Sequence, residues 1–366
     1  MSSLNSWGIL YGIRVYNTGT LSSGGVGADT NSVWNSATAD ADAFAADGSI
    51  GVAVNKYGIP LINHPTFDPG SMVINTRKAV GTAYRQTSTG CLEYQQGSRV
   101  PTVTYECDAT PKILALFFQL LFQGGATEAA TTPFLKTFIP YAEGDSDVVA
   151  CAALVKQMSA GTANSHMIGG AIIKSLTITG EEGQPIKLSA EFTGYNMVSN
   201  FDFDAPAAAN ILEFDTTACL MWQNASVKIA GTAANIPGFS LTISNNAVEK
   251  FYNTPHVTKY VLGDFTATGS ISVPWSATTV GANAQIDNFV AGTDTLLQIW
   301  WGAENPTASP ADGDVKIEVN MRYTGATVGG DDEVITELPF EAAHDGASGA
   351  NLAIRAYVSD TVDRGI

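Results

Sequence analysis

The sequence predicts a mainly β protein, and three observations carry this prediction. Charged residues make up only 14% of the 366-residue chain, whereas about 25% is usual in soluble proteins. Gly is frequent, at 36 residues, and Ser, Thr, Ala and Asn fill most other small or polar positions, as expected for strands joined by many turns. Several segments alternate apolar with polar residues, which is the period of a strand with one buried face. With 45% hydrophobic residues and no long charged tract, disorder is not expected.

Residues 169–195 predict a hairpin of two alternating strands around the acidic turn GEEGQP, in which Gly and Pro reverse the chain. The apolar face carries Ile172, Leu176, Ile178, Ile186, Leu188, Ala190 and Phe192. The opposite face carries Lys187, Ser189, Glu191 and Thr193. We therefore expect one face to pack in a core and the other to meet water or a polar partner.

Two segments predict helices. In the first, Thr110 is a candidate N-cap, Pro111 the first helical residue and Gly124 the stop. Its residues are apolar nearly all round, so we expect this helix to be buried or to cover the end of a sheet. The second helix is expected in the first part of 283–302.

Further strands are expected at 100–108 and in the second half of the chain. The inward residues there are Phe239, Leu241, Ile243, Phe265, Ala267, Ile271, Val273, Val315, Ile317, Val319, Met321 and Tyr323, and the polar residues between them, such as Lys316, face the other way. Both halves thus show a strand, a helix-like segment, a Gly-rich or acidic loop and a strand pair. This order is consistent with two tandem copies, although the case rests on pattern alone.

The domain organisation follows from these patterns. Residues 1–70 are expected to form an extended arm or loop and the first strands of domain 1, with a long loop at 17–50. A first β domain spans 71–200, a connector spans 201–212, and a second β domain spans 213–366.

No catalytic, cofactor-binding or metal-binding residue is predicted, and an enzyme is not expected. The chain has no nucleophile elbow, zinc motif, Walker A loop or dinucleotide fingerprint. The cysteines (Cys91, Cys107, Cys151 and Cys219) have neither CxxC nor zinc spacing, so free thiols are expected. The histidines (His64, His166, His256 and His344) lie far apart in sequence, and nothing selects one of them for a triad.

Acidic and aromatic residues leave two alternatives open. The acidic sets are Asp40 with Asp42, Asp145 with Asp147, Asp202 with Asp204, and Asp331, Asp332 and Glu333. They could bind calcium, but none matches the EF-hand loop, and solvated loop acids are the simpler interpretation. Two carboxylates could also serve a glycosidase. Trp300 and Trp301 could stack on a sugar in a glycan-binding sandwich, although packing in a core or an interface is the favoured interpretation.

The net charge of −17, with only 18 Lys and Arg, argues against tight nucleic-acid binding. The N-terminal residues lack the basic region of a secretory signal. The longest apolar run, Ile113 to Phe122, is far shorter than the roughly 20 residues of a membrane span. We therefore expect a soluble protein that is made in the cytoplasm and does not enter a membrane.

Two stretches, within 168–195 and 237–275, carry a resemblance to a known family. They read GGAIIKSLTITGEEGQPIKLSAEFTGY and IPGFSLTISNNAVEKFYNTPHVTKYVLGDFTATGSISVPW, and the apolar segment ILALFFQLLFQGG precedes the first. Together they resemble the major tail tube proteins of long-tailed bacteriophages. The resemblance implies a tail-tube-like β-sandwich or barrel with a flanking α-helix, and a structural protein of the virion tail that is assembled in the host cytoplasm.

The resemblance also implies partners. Subunits would form rings that stack into a hollow tube through which the genome passes, next to tape measure, tail terminator and distal tail proteins. The repeated order favours three subunits with a pseudo-sixfold wall, and six subunits stay open. The segment 17–50 and the turn 180–185 are candidates for contacts between rings. The alternatives are a glycan-binding β-sandwich module of a virion or cell surface, a glycosidase, and a capsid or tail-completion protein of the same fold.

Overall fold

The computed structural model of the chain describes most of its residues. They are 9–21, 56–59, 61–63, 65–70, 100–128, 133–140, 148–158, 166–194, 196–199, 213–214, 217–252, 257, 259–276, 278, 280–307, 310–329, 334–343 and 354–360.

The described residues form a mainly β fold, as the sequence predicts. The strands are β1 (Ile9–Leu21), β2 (Lys56–Gly58), β3 (Thr66–Asp68), β4 (Thr102–Asp108), β5 (Gln123–Glu128), β6 (Phe134–Pro140), β7 (Val148–Met158), β8 (His166–Glu181), β9 (Lys187–Thr193), β10 (Asn196–Ser199), β11 (Glu213–Phe214), β12 (Ser226–Ile229), β13 (Thr232–Ala233), β14 (Gly238–Ser244), β15 (Val248–Lys250), β16 (Lys259–Val261), β17 (Thr266–Pro274), β18 (Thr295–Trp301), β19 (Val315–Tyr323), β20 (Thr327–Gly329), β21 (Ile335–Ala342) and β22 (Ile354–Asp360). The helices are α1 (Pro111–Phe122) and α2 (Ala282–Ala291). In the described part of the chain, no helix is long and apolar enough to span a membrane.

The main sheet is antiparallel and runs in the order β3, β4, β9, β8, β14, β17, β21. Beyond β21 it continues into β20 and the last residues of β19. The predicted inward residues of these strands are buried, among them Leu188, Phe192, Leu241 and Ile271. The period-two pattern therefore predicts correctly which face of the sheet packs in the core.

Further strands pair with β8 and β19 of the main sheet, directly or through a neighbouring strand. The first part of β8 pairs with β7 and β10, and β7 pairs with β1, which also pairs with β2. In the second half, β19 pairs with β18 and β22, and β18 pairs with β12, which also pairs with β13. Strand β22 also pairs with β6, which pairs with β5.

Helix α1 is buried nearly all round, as its composition predicts. The Thr110 hydroxyl accepts a hydrogen bond from the Ile113 amide at 3.3 Å, which confirms the predicted cap. The helix packs against β8 on one side and β22 on the other. Phe117 makes an edge contact with Phe192 of the main sheet, with ring centroids 5.9 Å apart. The helix ends at Phe122, before the predicted Gly124, because the chain already enters β5 at Gln123.

Helix α2 is the second predicted helix, and it lies at the surface. The chain leaves it through Gly292, whose φ of 64° is the left-handed conformation that glycine adopts without strain. Its inner side is held by Gln285, whose Oε1 accepts a 2.9 Å hydrogen bond from the Tyr323 hydroxyl of β19. Burial raises the pKa of Tyr323.

Strands from the two predicted domains pair with one another. Strand β8 of the first predicted domain pairs with β14 of the second, and β6 pairs with β22. Buried residues of both halves, such as Phe192 and Leu241, belong to the same core cluster. The predicted connector 201–212 lies outside the described residues, and the division into two tandem copies stays a prediction.

Ile172 is fully buried, as predicted, and its neighbour Ile173 is buried as well, since the register of β8 is irregular between Ile173 and Ser175. Three other local predictions are corrected by the structure. Thr193 is fully buried, because its hydroxyl donates to Glu249 of the β15–β16 hairpin at 3.1 Å.

Lys316 is buried at 8% exposure, although its strand position predicts a polar face toward water. Its ammonium pairs with Glu318 at 2.8 Å, and it lies in register with Trp300 and Tyr357 on the neighbouring strands. Residues 17–21, predicted to begin a long loop, continue β1, because they still pair with β7. The remainder of that segment, 22–50, is not among the described residues.

Candidate assembly surface

The outer face of the main sheet is built from small hydroxyl side chains. We call this surface the hydroxyl face; its members are Ser175, Thr177, Thr179, Ser189, Ser240, Thr242, Ser244, Thr266, Thr268, Ser270 and Ser272. They lie side by side because alternate residues of each strand point outward and the strands are in register. One row across the sheet runs Ser189, Thr177, Thr242 and Thr268.

Hydrogen bonds within the hydroxyl face satisfy several of its side chains. The Oγ1 atoms of Thr177 and Thr242 lie 2.9 Å apart, and either can donate. Ser175 donates to Glu191 Oε2 at 3.2 Å. Ser244 donates to the Lys174 carbonyl at 3.1 Å. The hydroxyl face is therefore polar, and its central strands β8, β14 and β17 carry no charged side chain in the rows of Ser and Thr.

Acidic residues border the hydroxyl face on the same side of the sheet. They are Glu106 and Asp108 on β4, Glu181 on β8, Glu191 on β9, and Glu337 and Glu341 on β21. Among the described residues of these rows, the positively charged side chains are Lys187 and Arg322. Arg322 donates two hydrogen bonds to Asp294, at 2.7 and 3.0 Å. A surface with more carboxylates than positive charges repels phosphate groups.

In the described part of the chain, the main sheet ends at β3, which pairs with β4, and at β20, which pairs with β21. Both strands are exposed at all three residues. Phe67 of β3 is 38% exposed and Val328 of β20 is 52% exposed.

The turns at the two ends of the strands are also exposed. In the predicted turn 180–185, the Gln184 amide donates to the Glu181 carbonyl at 3.0 Å, and Gly183 has a φ of 72°. At the opposite end of β8, the β15–β16 hairpin is held by Glu249, which pairs with Lys174 at 3.3 Å. Val248 and Val261 are exposed and lie opposite each other on this hairpin.

The sequence patterns do not predict the end strands β3 and β20 or the β15–β16 hairpin. Strands of three residues show too short an alternation to be recognised by their period, and this length is shared by β3, β15, β16 and β20. A signal that could have found β20 is the ATVGG stretch before the acidic run 331–333, which resembles the TITG before the turn 180–185.

Trp300 and Trp301 are core residues and do not form a sugar platform. They are 7% and 4% exposed, and the Trp301 indole donates to the Met221 carbonyl at 3.0 Å. The Lys228 ammonium lies 5.6 Å from the centre of the Trp300 ring and covers it. The indole faces are therefore closed to a ligand.

The other candidate residues form no site in the described part of the chain. Cys107 and Cys219 are free thiols, as predicted, with Cys107 buried and Cys219 exposed. Burial raises the pKa of Cys107, and the nearby Asp108 and Cys219 act in the same direction. No cluster of three or more metal-ligating side chains occurs among the described residues.

Several predicted positions fall outside what the structure describes. They are Cys91, the side chains of Cys151 and of the four histidines, and the acidic sets at 40–42, 145–147, 202–204 and 331–333. The predictions about them stay predictions.

Comparison with known proteins identifies a family. The sequence profile of the family described as phage tail tube protein matches residues 11–342. No curated protein matches the chain. This family is not a class of enzymes, and it does not favour the glycan-binding alternative. The resemblance found in the sequence is thereby confirmed: the chain belongs to the phage tail tube protein family and is a structural subunit of the tail tube in the virion.

Proposed function

We propose that the hydroxyl face lines the conduit of the tail tube. The single observation that carries this proposal is the composition of that face: an uninterrupted field of Ser and Thr bordered by carboxylates. Hydroxyl groups bind water, and carboxylates repel the phosphates of DNA, so a duplex can pass along this wall without being held. DNA is then a transient and non-specific partner.

The ring is proposed to contain three subunits with a pseudo-sixfold wall. This proposal is supported by the strand order of the main sheet, in which β3, β4, β9 and β8 are followed by β14, β17 and β21, and β19 and β20 both pair with β21. When β19 and β20 are counted as one interrupted strand, each half of the chain supplies four strands to one continuous wall. Six subunits per ring are the alternative outcome.

Stacked rings are proposed to touch through the turn 180–185 and the segment 17–50. The turn is supported by its position: it is exposed at one end of the hydroxyl face, at the rim of the proposed wall. The remaining partners we propose are the tape measure protein within the tube and the tail terminator and distal tail proteins at its ends.

Electron microscopy of the purified protein tests assembly and ring symmetry. We expect striated tubes, and averaged cross-sections that show threefold symmetry with six similar lobes. A monomer that persists at high concentration would contradict the proposal. True sixfold symmetry would keep the tube and replace the ring of three.

Thiol labelling tests which face lines the conduit. In a background in which Cys91, Cys151 and Cys219 are each changed to Ser, Thr242→Cys places a thiol on the hydroxyl face, and Val290→Cys places one on α2, where Val290 is 78% exposed. A maleimide carrying a polymer wider than a DNA duplex should react with Cys at 290 in tubes but with Cys at 242 only after dissociation. Equal labelling at both positions in intact tubes would place the hydroxyl face outside the conduit.

A further inference from the structure

The part of β8 that pairs with β14 has a different surface at each of its two ends. At one end, Glu181 of β8 lies in register with Gly238, and the turn 180–185 follows. At the other end, Ser175 lies in register with Ser244, and the β15–β16 hairpin follows β14 in the chain. The turn and the hairpin therefore lie at opposite ends of the same pair of strands.

The β15–β16 hairpin is anchored to the subunit by the side chains of one face. Glu249 pairs with Lys174 at 3.3 Å and accepts a hydrogen bond from the Thr193 hydroxyl at 3.1 Å. The Tyr260 hydroxyl lies within hydrogen-bond distance of two carbonyl oxygens, those of Gly170 at 3.2 Å and Thr193 at 3.1 Å. Because Glu249 and Tyr260 lie in register, this face of the hairpin is held against β8 and β9.

The opposite face of the hairpin is exposed. Strand alternation places Val248 and Lys250 of β15 on this face, and Val261 of β16 lies in register with Val248. Val248 is 47% exposed, Val261 is 41% exposed, and Lys250 is exposed as well. We call the surface formed by these three residues the hairpin face. It joins two valines to a positive charge in a chain whose net charge is −17.

A concavity lies beside the turn 180–185, at the other end of these strands. We call it the rim pocket; its volume is about 340 Å³. Among the described residues that line it, Glu182 of the turn is the one that carries a charge. Apolar side chains form most of the remaining lining, among them Trp222, Val227, Ile236 and Pro274. The rim pocket is therefore apolar with a carboxylate at its side.

The rim pocket is already formed in the single subunit. The Trp222 indole donates to the Ile236 carbonyl at 3.2 Å, and its ring centroid lies 5.0 Å from that of Phe239. A Cβ at Gly180 would lie 2.6 Å from the Phe239 ring and 2.8 Å from the Trp222 ring, so this packing requires glycine. Since these side chains are fixed before a partner binds, little entropy is lost when the pocket is filled.

An exposed tryptophan extends the apolar surface beside the rim pocket. Trp275 follows Pro274 directly, and its amide donates to the Val334 carbonyl at 2.8 Å. Trp275 is 50% exposed and Val334 is 48% exposed. Tryptophan is enriched among the few residues that supply most of the binding energy of protein interfaces. This end of the subunit thus offers an apolar anchor next to the carboxylate of Glu182.

We propose that the hairpin face of a subunit in one ring docks on the rim pocket of a subunit in the next ring, with Lys250 paired with Glu182. In this contact the two valines of the hairpin face lie against Trp275 and the apolar lining of the pocket. The partner of the rim pocket is a second copy of this chain. The inference rests on the proposed stacking of rings, and it identifies what the turn 180–185 meets there.

Charge and geometry favour a second copy in this orientation. The two surfaces differ and lie at opposite ends of the subunit, so each ring adds to the previous one in the same direction without closing the series. Lys250 and Glu182 are both exposed and have opposite charges. An inverted ring would instead bring Lys250 against Lys250, which is repulsive. Docking also removes the exposed area of the valines and of Trp275 from water.

Zero-length cross-linking of the unaltered chain tests the contact. A carbodiimide joins a carboxylate to an ammonium when the two groups touch, and mass spectrometry of the digested protein identifies the linked peptides. We expect a link between Glu182 and Lys250 in tubes and none in dissociated subunits, because these residues lie at opposite ends of one subunit. Lys228 and Glu304 form an ion pair within the subunit, so their link should appear in both samples and controls for the reaction.

Charge reversal tests the same pair by assembly. Lys250→Glu and Glu182→Lys should each give rings that do not stack, and the double variant should recover tubes. Asp287→Lys is the matched control, because Asp287 is exposed on α2 and the change in charge equals that of Glu182→Lys. This control should stack like the unaltered chain.

Truncation tests the apolar part of the contact. Trp275→Ala should raise the ring concentration needed for stacking by about tenfold or more, as is usual when a central aromatic residue of an interface is removed. Val290→Ala shortens a side chain that is 78% exposed on α2, and stacking should be unchanged. Electron microscopy and sedimentation velocity distinguish single rings from tubes, and thermal unfolding identifies the variants that are folded.

The outcomes separate this contact from the tube function. Tubes that show the Lys228–Glu304 link without the Glu182–Lys250 link would overturn the docking, and this result needs no variant to fold. Folded Lys250→Glu and Trp275→Ala chains that stack normally, or that form no rings at all, would overturn it as well. Failure of the unaltered chain to form tubes would instead contradict the proposed function.

Discussion

Thr177 and Thr242 place their hydroxyl oxygens 2.9 Å apart where β8 pairs with β14. In the adjacent residue pair of the same two strands, Ile178 and Leu241 face each other in the core, at 0% and 1% exposure. The joint between the two halves of the chain is therefore polar on its outer side and apolar on its inner side.

Truncation at this joint should destabilise the subunit. Leu241→Ala removes a fully buried side chain, and such changes cost about 2–5 kcal/mol. Phe67→Ala, on the end strand β3, should change the free energy of unfolding by no more than about 1 kcal/mol, since Phe67 is 38% exposed. Urea denaturation of the dissociated subunits measures both.

The turn between β12 and β13 offers a stabilising substitution. Ala230 and Gly231 form a two-residue turn with φ of 51° and 76°, a conformation that favours Asn-Gly. Ala in the left-handed region carries a steric cost, so Ala230→Asn should raise the free energy of unfolding by about 1 kcal/mol.

Gly231→Ala is the matched control for that turn. A Cβ at 231 would meet no atom within 4 Å, so its expected destabilisation is a backbone effect alone. Thermal unfolding of the two variants should move in opposite directions. A lowered midpoint for Ala230→Asn would show that the turn does not hold this conformation in solution.

The two described cysteines should differ in reactivity and in their effect on pH dependence. Peptide-level thiol labelling should modify Cys219 at once and Cys107 only on unfolding, since Cys107 is buried. A raised folded pKa means that the contribution of Cys107 to stability is present below its unfolded pKa, about 8.5. It is lost as pH rises above that value.

Unfolding free energies measured from pH 7 to 10 check this sign. Stability should fall across that interval, and the fall should be shallower in Cys107→Ala. Tyr323, whose pKa is also raised by burial, contributes to a further decrease above about pH 10. An equal slope in both proteins would show that Cys107 does not contribute.

Sequence patterns predicted the elements whose signal is local. The alternation around Leu188 and Phe192 and the cap at Thr110 needed no knowledge of distant residues. The patterns did not predict burial that depends on a contact with a residue far along the chain. Thr193 is buried because Glu249 of a later hairpin reaches it, and no strand period encodes that contact.

The candidate assembly surface likewise has features that local sequence predicts and features that depend on distant parts of the chain. The hydroxyl face could be anticipated, because every second residue of the longer strands is Ser or Thr. The ends of the sheet could not, because the strand order decides which strand lies at an end, and the residues of the strand do not. In the described part of the chain, β3 and β20 lie at the two ends of that order.

A positive charge on the hydroxyl face should convert the conduit from repelling DNA to holding it. Thr268 is exposed, lies opposite Thr242, and has Glu341 on its other side. Thr268→Lys adds one ammonium per subunit at the wall, so each ring gains several cations that face the same duplex. Binding through such charges weakens steeply as salt rises.

The measurement is nuclease protection. Tubes of Thr268→Lys and of the unaltered chain are incubated with short duplexes at low salt, sedimented and treated with a nuclease. We expect DNA to pellet with Thr268→Lys tubes, to survive the nuclease because the wall shields it, and to be released as salt is raised. Val290→Lys adds the same charge on α2, and any DNA bound there should be digested. DNA that is bound by Thr268→Lys tubes but fully digested would place this face on the outside of the tube.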